Sequence, residues 1–225
     1  GMIGVVDSNL VIENSTLEDT ERRRIRTLDS SLLVRNCEFA DIFEPNEPPS
    51  TEDMSEHIWG RAGSTGRFII ENNVFGIASG NNDCVDIDGP SRPSPIPQIL
   101  NNTFLGSGGD AIELESDAHI EGNRFYNIIK DEWNTSPGGG NVISGGAGKN
   151  YAMARNVFYN NQHVAWVQDD AFLSFANNSV VKAWESVIYS NVGSTGRGVD
   201  VDGSIFWDTS EVFSGPLGGL TVDNS

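Results

Sequence analysis

Cysteine is almost missing from this chain. Two residues, Cys37 and Cys84, cannot build a disulfide framework, and a chain of 225 residues can bury a core without one. They fall in different parts of the repeat described below, so two separate buried thiols are expected. Long apolar runs are missing too: nothing approaches the uninterrupted stretch that a helical membrane span requires. Basic residues are few, 14 against 32 acidic ones, for a net charge of −18. Such a field repels nucleic acid and anionic membrane and favours cations. The one basic cluster, Glu21-Arg22-Arg23-Arg24-Ile25-Arg26, sits beside Glu18 and Asp19 and reads as a locally neutralised loop. No basic-then-apolar leader opens the chain, so a secretion signal is expected outside this sequence. Nucleophile motifs and phosphate-cradling loops are absent as well. The Gly-rich run Pro137-Gly138-Gly139-Gly140 leads into a strand-like segment and lacks the Lys-Ser/Thr ending.

What the chain does have is a repeat. Segments ending in an apolar residue just after Asn recur: Ile12-Glu13-Asn14-Ser15-Thr16-Leu17, Val34-Arg35-Asn36-Cys37-Glu38-Phe39, Ile70-Glu71-Asn72-Asn73-Val74-Phe75, Leu100-Asn101-Asn102-Thr103-Phe104. The series continues through Phe125, Phe158 and Val180 and, more weakly, Phe206. The spacing varies from 21 residues (Phe104 to Phe125) to 36 (Phe39 to Phe75). Helical repeats keep a near-constant length because each packs a whole helix pair on its neighbours. A coil of short strands needs only its strands in register and can extrude a loop at any corner. Asn tolerates the left-handed backbone that a sharp corner requires. Stacked at about 4.8 Å, Asn amides can also bond one another in a ladder. The expected fold is therefore all-β, a right-handed parallel β-helix of about eight rungs. It forms a single domain over residues 1–225, with long loops near 40–56 and 130–140 and a column of phenylalanines inside.

The pattern resembles the pectin-lyase-like family of right-handed parallel β-helices. It is also similar to the β-helix segments of large multidomain secreted bacterial proteins. The stretch that carries the resemblance runs roughly from Phe68 to Val181, through DCVDIDGPSRPSPIPQILNNTFLGSGGDAIELES and the following IEGNRF. The resemblance implies a secreted or cell-envelope location and a polysaccharide or cell-surface glycan as partner. It does not settle activity, since one architecture hosts lyases, hydrolases, adhesins and spacers. The NTD, GHG and RIK pattern of the polygalacturonase branch is not found.

Chemistry concentrates in one strip. Asp83-Cys84-Val85-Asp86-Ile87-Asp88-Gly89 aligns with Asp110-Ala111-Ile112-Glu113-Leu114-Glu115-Ser116. Alternation turns Val85, Ile87, Ile112 and Leu114 inward and the acids outward. Asp86 then lies over Glu113, and Asp88 over Glu115. With no interleaved base these carboxylates repel one another, and a calcium ion is the natural counter-charge. Asp83 and Asp110, at the strand entrances, add ligands or cap the turn. Aligning Glu56-His57-Ile58-Trp59-Gly60 with Val85-Asp86-Ile87-Asp88-Gly89 places His57 and Trp59 outward beside the acids, although it turns Glu56 inward. With Arg61, His57 and Trp59 make a candidate substrate-binding set. In the next rung, Gly140–Gly146, small residues leave a shallow floor. Asp200-Val201-Asp202-Gly203 resembles Asp86–Gly89 in letters, but its distance from Phe206 assigns it to a different strand.

Two readings follow. In one, the chain is a non-catalytic extracellular module, calcium-stiffened, that binds glycan. In the other it is a polysaccharide lyase or glycoside hydrolase working along the same strip. Both expect the end rungs to be covered by neighbouring domains or another chain, because open coils expose unpaired edges.

Overall fold

The computed structural model describes residues 2–18, 23–43, 55–62, 66–136, 138–191, 193 and 195–225. Among these residues there are 26 strands and no helix. The strands form three parallel sheets that the chain visits in turn. Nine run from Ile3–Val6 to Glu211–Ser214 in the first sheet, and nine from Asn9–Glu13 to Gly219–Asp223 in the second. Eight, from Thr16–Leu17 to Ile205–Trp207, make the third. Each circuit lies on the one before, which is the expected right-handed parallel β-helix. One apolar cluster fills it from Ile12 to Leu217. Residues 44–54 of the expected 40–56 loop lie outside the described residues.

The corner between the second and third sheets divides between two neighbouring positions the work expected of one Asn. The first position takes the left-handed backbone: Asn14, Asn36, Asn72, Asn101 and Asn177 have φ between 51° and 56°. The second position points inward. Asn73, Asn102, Asn123, Asn156 and Asn178 stack there, fully buried. The Nδ2 of Asn102 donates to Asn123 Oδ1 at 3.0 Å and to the Ile70 carbonyl at 2.9 Å, while its backbone N–H donates to the same Asn123 oxygen at 2.8 Å. Asn73, Asn123 and Asn156 repeat this arrangement. Every buried amide is satisfied, which is what makes a polar column tolerable inside a core. Ser204 continues the column, its Oγ accepting from Asn178 N–H at 3.1 Å.

Two residues further on stands the aromatic column. Phe39, Phe75, Phe104, Phe125 and Phe158 stack with centroids 4.6 to 5.2 Å apart. Val180 interrupts the series, and Phe175 from the second sheet fills the gap, stacking on Phe158 at 5.9 Å and on Phe206 at 6.1 Å. Cys37 and Cys84 are free and buried apart from each other; burial pushes the Cys84 thiol up to about 12, so it is not a nucleophile. Asp200 and Asp202 lie on a second-sheet strand, Gly198–Asp202, away from the first-sheet acids as expected. At the end of the coil the inward residues Leu220 and Val222 are both 45% exposed.

Candidate functional site

The first sheet pairs Val85 with Ile112, Asp86 with Glu113 and Ile87 with Leu114, as the aligned sequences predicted. The rung before is shifted by two residues from its expected place. Ile58 pairs with Val85, Trp59 with Asp86 and Arg61 with Asp88. A slip of two keeps each strand residue on its own face. Trp59 therefore stays outward, beside Asp86 rather than Asp88.

His57 is the correction. The shift moves it off the strand into the corner, where it is fully buried. It packs against Phe39 at 5.6 Å and Phe75 at 5.8 Å. Nδ1 lies 2.6 Å from the Arg24 guanidinium, and Nε2 lies 3.1 Å from the Gly76 carbonyl. Burial, reinforced by Arg24, lowers the ring to about 3, so His57 is neutral and closed off from the outer face. The described part of the basic run has a partner on the next rung. Arg23 pairs with buried Glu56 from the next rung, Nε to Oε2 at 2.5 Å; Asp19, Glu21 and Arg22 lie outside the described residues.

Arg61 is the interleaved base the sequence seemed to lack. Its Nη1 donates to Asp86 Oδ1 at 3.0 Å, and Nε lies 3.9 Å from Asp88 Oδ2. The guanidinium also stacks on Trp59 at 4.6 Å, with Arg26 at 5.1 Å and Arg23 at 4.8 Å on the same ring. Trp59 and Arg61 thus bind each other and the acids. Burial pushes Asp86 up to about 6, with Glu113 adding to the effect and Arg61 opposing it.

Asp83 and Asp110 cap the turns. Asp83 Oδ1 accepts the Asp110 N–H at 2.5 Å, and Asp110 Oδ1 accepts both the N–H and the Nδ2 of Asn141 at 2.9 Å. Burial raises Asp110 to about 7 against those bonds. The six acids do not gather about one point: among the described residues no three His, Cys, Asp or Glu side chains stand where they could hold a metal ion. Asp83, Asp86, Asp88, Asp110, Glu113 and Glu115 therefore do not fit a ready-made calcium site.

They do shape a cleft. A hollow of about 230 Å³ is lined by Asp83, Asp110, Glu113 and Ser144, with Trp166 on one side and Ser136, Gly138 and Gly139 on the other. Asn134 ties the 130–140 loop to the wall by donating to the Gly108 carbonyl at 2.8 Å. Of the small residues expected to leave a shallow floor, only Ser144 serves the cleft. Gly145 makes room for the Tyr151 ring, and a β-carbon at Gly146 would stand 2.7 Å from Glu115 Oε2.

Trp166, Asn141 and Tyr189 escaped the sequence reading. Glu113 pairs with Ser144, Ser144 with Trp166, and Trp166 with Tyr189. Extending the Ile112, Ile143, Ala165, Ile188 register two rungs would have found both aromatics. The Tyr189 ring stacks on Trp166, 6.2 Å apart and 9° from parallel, and its hydroxyl donates to Asn141 Oδ1 at 2.8 Å. Tyr189, Asn141, Asp110 and Asp83 form one continuous hydrogen-bonded series behind the cleft. No protein-family model, curated protein or solved structure matches the chain.

Proposed function

We propose that this chain is an extracellular β-helix of the pectin-lyase-like kind, and that it binds a short stretch of polysaccharide in the cleft over Asp110 and Glu113. The observation that carries the reading is the composition of that cleft. Three carboxyl groups and two serines line it beside an indole that stacks on Tyr189. Saccharides present hydroxyl donors along their edges and C–H faces above and below the ring; acids and amides accept the first, and a fixed aromatic packs the second. Asp83 Oδ1 is engaged by the Asp110 N–H, Asp110 Oδ1 by Asn141, and burial raises Asp110 to about 7, so the site suits a hydroxyl-rich ligand better than a cation. Cover of the last rung by a neighbouring domain or another chain is part of the same reading, supported by the exposure of Leu220 and Val222.

One observation favours hydrolysis as the second reading. Asp110 holds its proton up to about pH 7, beside Glu113 on the same cleft wall. Two neighbouring carboxyls in unlike surroundings, Asp110 buried and Glu113 half-buried, are what an acid/base pair requires. Asp110 would donate to a leaving oxygen while Glu113 acts as nucleophile or base.

Calorimetric titration against a panel of soluble polysaccharides tests both. Binding to the wild type, weakened at least about tenfold in Trp166→Ala and Glu113→Gln, supports the glycan reading. Release of reducing ends that Asp110→Asn abolishes, with binding retained, decides for the hydrolase. A panel that gives neither binding nor cleavage sinks both.

A further inference from the structure

Asn141 is the joint of the hydrogen-bonded series behind the cleft, and its amide can face Asp110 in two ways. With Nδ2 toward the carboxyl, as here, two donors meet Asp110 Oδ1: the side-chain amide and the backbone N–H, both at 2.9 Å. Turned by half a revolution, the amide would set one acceptor oxygen against another. The choice between the two is made at its far end. Tyr189 closes the strand Ser186–Tyr189, yet its hydroxyl reaches back to Asn141 on the strand Asn141–Gly145 and donates to Oδ1 at 2.8 Å. Tyr189 pairs with Trp166, and Trp166 with Ser144 of that earlier strand, so the side chain crosses two rungs. Its ring is held from both sides, by His163 with centroids 4.4 Å apart and by the Trp166 indole at 6.2 Å. His163 is itself fixed, Nδ1 accepting the Ser186 N–H at 3.3 Å and Nε2 lying 3.3 Å from Glu185 Oε2. Burial holds the Tyr189 phenol above its ordinary range, so it keeps its proton and stays a donor.

We propose that Tyr189 is a positioning residue of the cleft: its hydroxyl sets the Asn141 amide, and through it the Asp110 carboxyl, while its ring backs the Trp166 indole. Asp110, Glu113 and Trp166 line the cleft; Tyr189 stands behind them and acts through them. The use of this arrangement rests on the polysaccharide reading of the cleft, but the arrangement itself does not. The groups that face Asp110 are Asp83 on the rung before, Glu113 three residues on, and Tyr189 with the His163–Glu185 pair beyond Asn141. Burial and Glu113 favour its neutral form, whereas both Asn141 donors and Ser144 favour the charged one. Removing the phenol hydroxyl leaves Asn141 Oδ1 without its donor and frees the amide to turn. Once turned, Asn141 accepts from the neutral carboxyl instead of donating to the charged one. Asp110 then holds its proton to higher pH.

A carboxyl carbon-13 NMR titration of the full chain, labelled at aspartate, reads the Asp110 midpoint with no ligand present. In Tyr189→Phe, which keeps the ring and loses the hydroxyl, the midpoint is expected to rise by about 0.5 or more. Asn141→Ala raises it as well, and adding Tyr189→Phe to that variant raises it no further, because the hydroxyl acts through the amide. A midpoint that Tyr189→Phe leaves in place overturns the inference, and this comparison decides alone if Asn141→Ala does not fold. An equal rise with and without Asn141 also overturns it, since the phenol would then act on Asp110 directly. With a saccharide that binds, the pH dependence of affinity shifts upward in Tyr189→Phe by the same amount. A panel without any binding sinks the polysaccharide reading and leaves the midpoint comparison to decide the role of Tyr189.

Discussion

Two polar columns climb the same solenoid and teach opposite lessons. At the corner between the second and third sheets, Asn73, Asn102, Asn123, Asn156 and Asn178 repeat one group in one geometry, with each donor and acceptor spent inside the column. At the entrance to the first sheet, Glu56, Asp83, Asp110, Asn141 and His163 occupy successive rungs, with four kinds of side chain among them. That column opens on the cleft at Asp83 and Asp110, and burial raises Asp110 and lowers His163. Uniformity makes the first a structural element. Variety and incomplete compensation make the second a site.

Breaking the uniform column carries the largest effect. Asn123→Ala leaves the N–H and Nδ2 of Asn102 without their shared acceptor and the Ile99 carbonyl without its donor. Equilibrium denaturation is expected to show a loss of about 3–5 kcal/mol. Ser204→Ala removes only the hydroxyl that ends the ladder, and about 1 kcal/mol is expected from the same measurement.

The varied column responds with the other sign. Asp110→Asn keeps an acceptor for Asn141 and removes the buried charge, so the variant is as stable as the wild type or more so near neutral pH. The pH dependence follows by linkage. Asp110 moves from 3.8 to about 7 on folding and Asp86 from 3.8 to about 6. Between those values these two carboxyls bind more protons folded than unfolded, so their contribution to stability falls as pH rises, while His57, lowered to about 3, contributes in the opposite direction below pH 6.5. The comparison of two chains isolates Asp110: the melting midpoint of Asp110→Asn should rise relative to the wild type as pH goes from about 4 to 7. A difference that stays constant across that range contradicts the burial of Asp110. The smallest effect belongs to Asp88→Ala. Its carboxylate is 54% exposed and 3.9 Å from Arg61, worth no more than about 0.5 kcal/mol in a chemical melt.

The same contrast explains what the sequence disclosed. A group that recurs at one point of every rung is visible in letters, so Asn, Phe and the alternating acids revealed the coil, the corners and the Asp86–Glu113 pairing. His57 misled because a strand that follows a long loop carries no marker of register, and a shift of two residues leaves the inside–outside pattern of the strand unchanged. In letters Arg61 falls to the substrate-binding set and not to the acids because its partners lie 25 and 27 residues away, on the next rung. Trp166 and Tyr189 sit beyond the acidic motif and repeat nothing in it; only the paired register joins them to Glu113. The pKa shifts of Asp86 and Asp110 come from burial, which no spacing rule expresses.

The amide ladder also has a mechanical side. The bonds between rungs run along the solenoid axis, so an axial pull loads them in tension across all three sheets at once. The side-chain amides add a fourth strand of bonds in parallel with these, seated in the interior where water cannot replace a stretched bond. Force applied end to end is thus shared at each rung boundary, and the coil yields by separating whole rungs. The boundaries outside the ladder, at Ser15 and Cys37 before it and from Ser204 onward, lack the second donor of an amide and are the first to part.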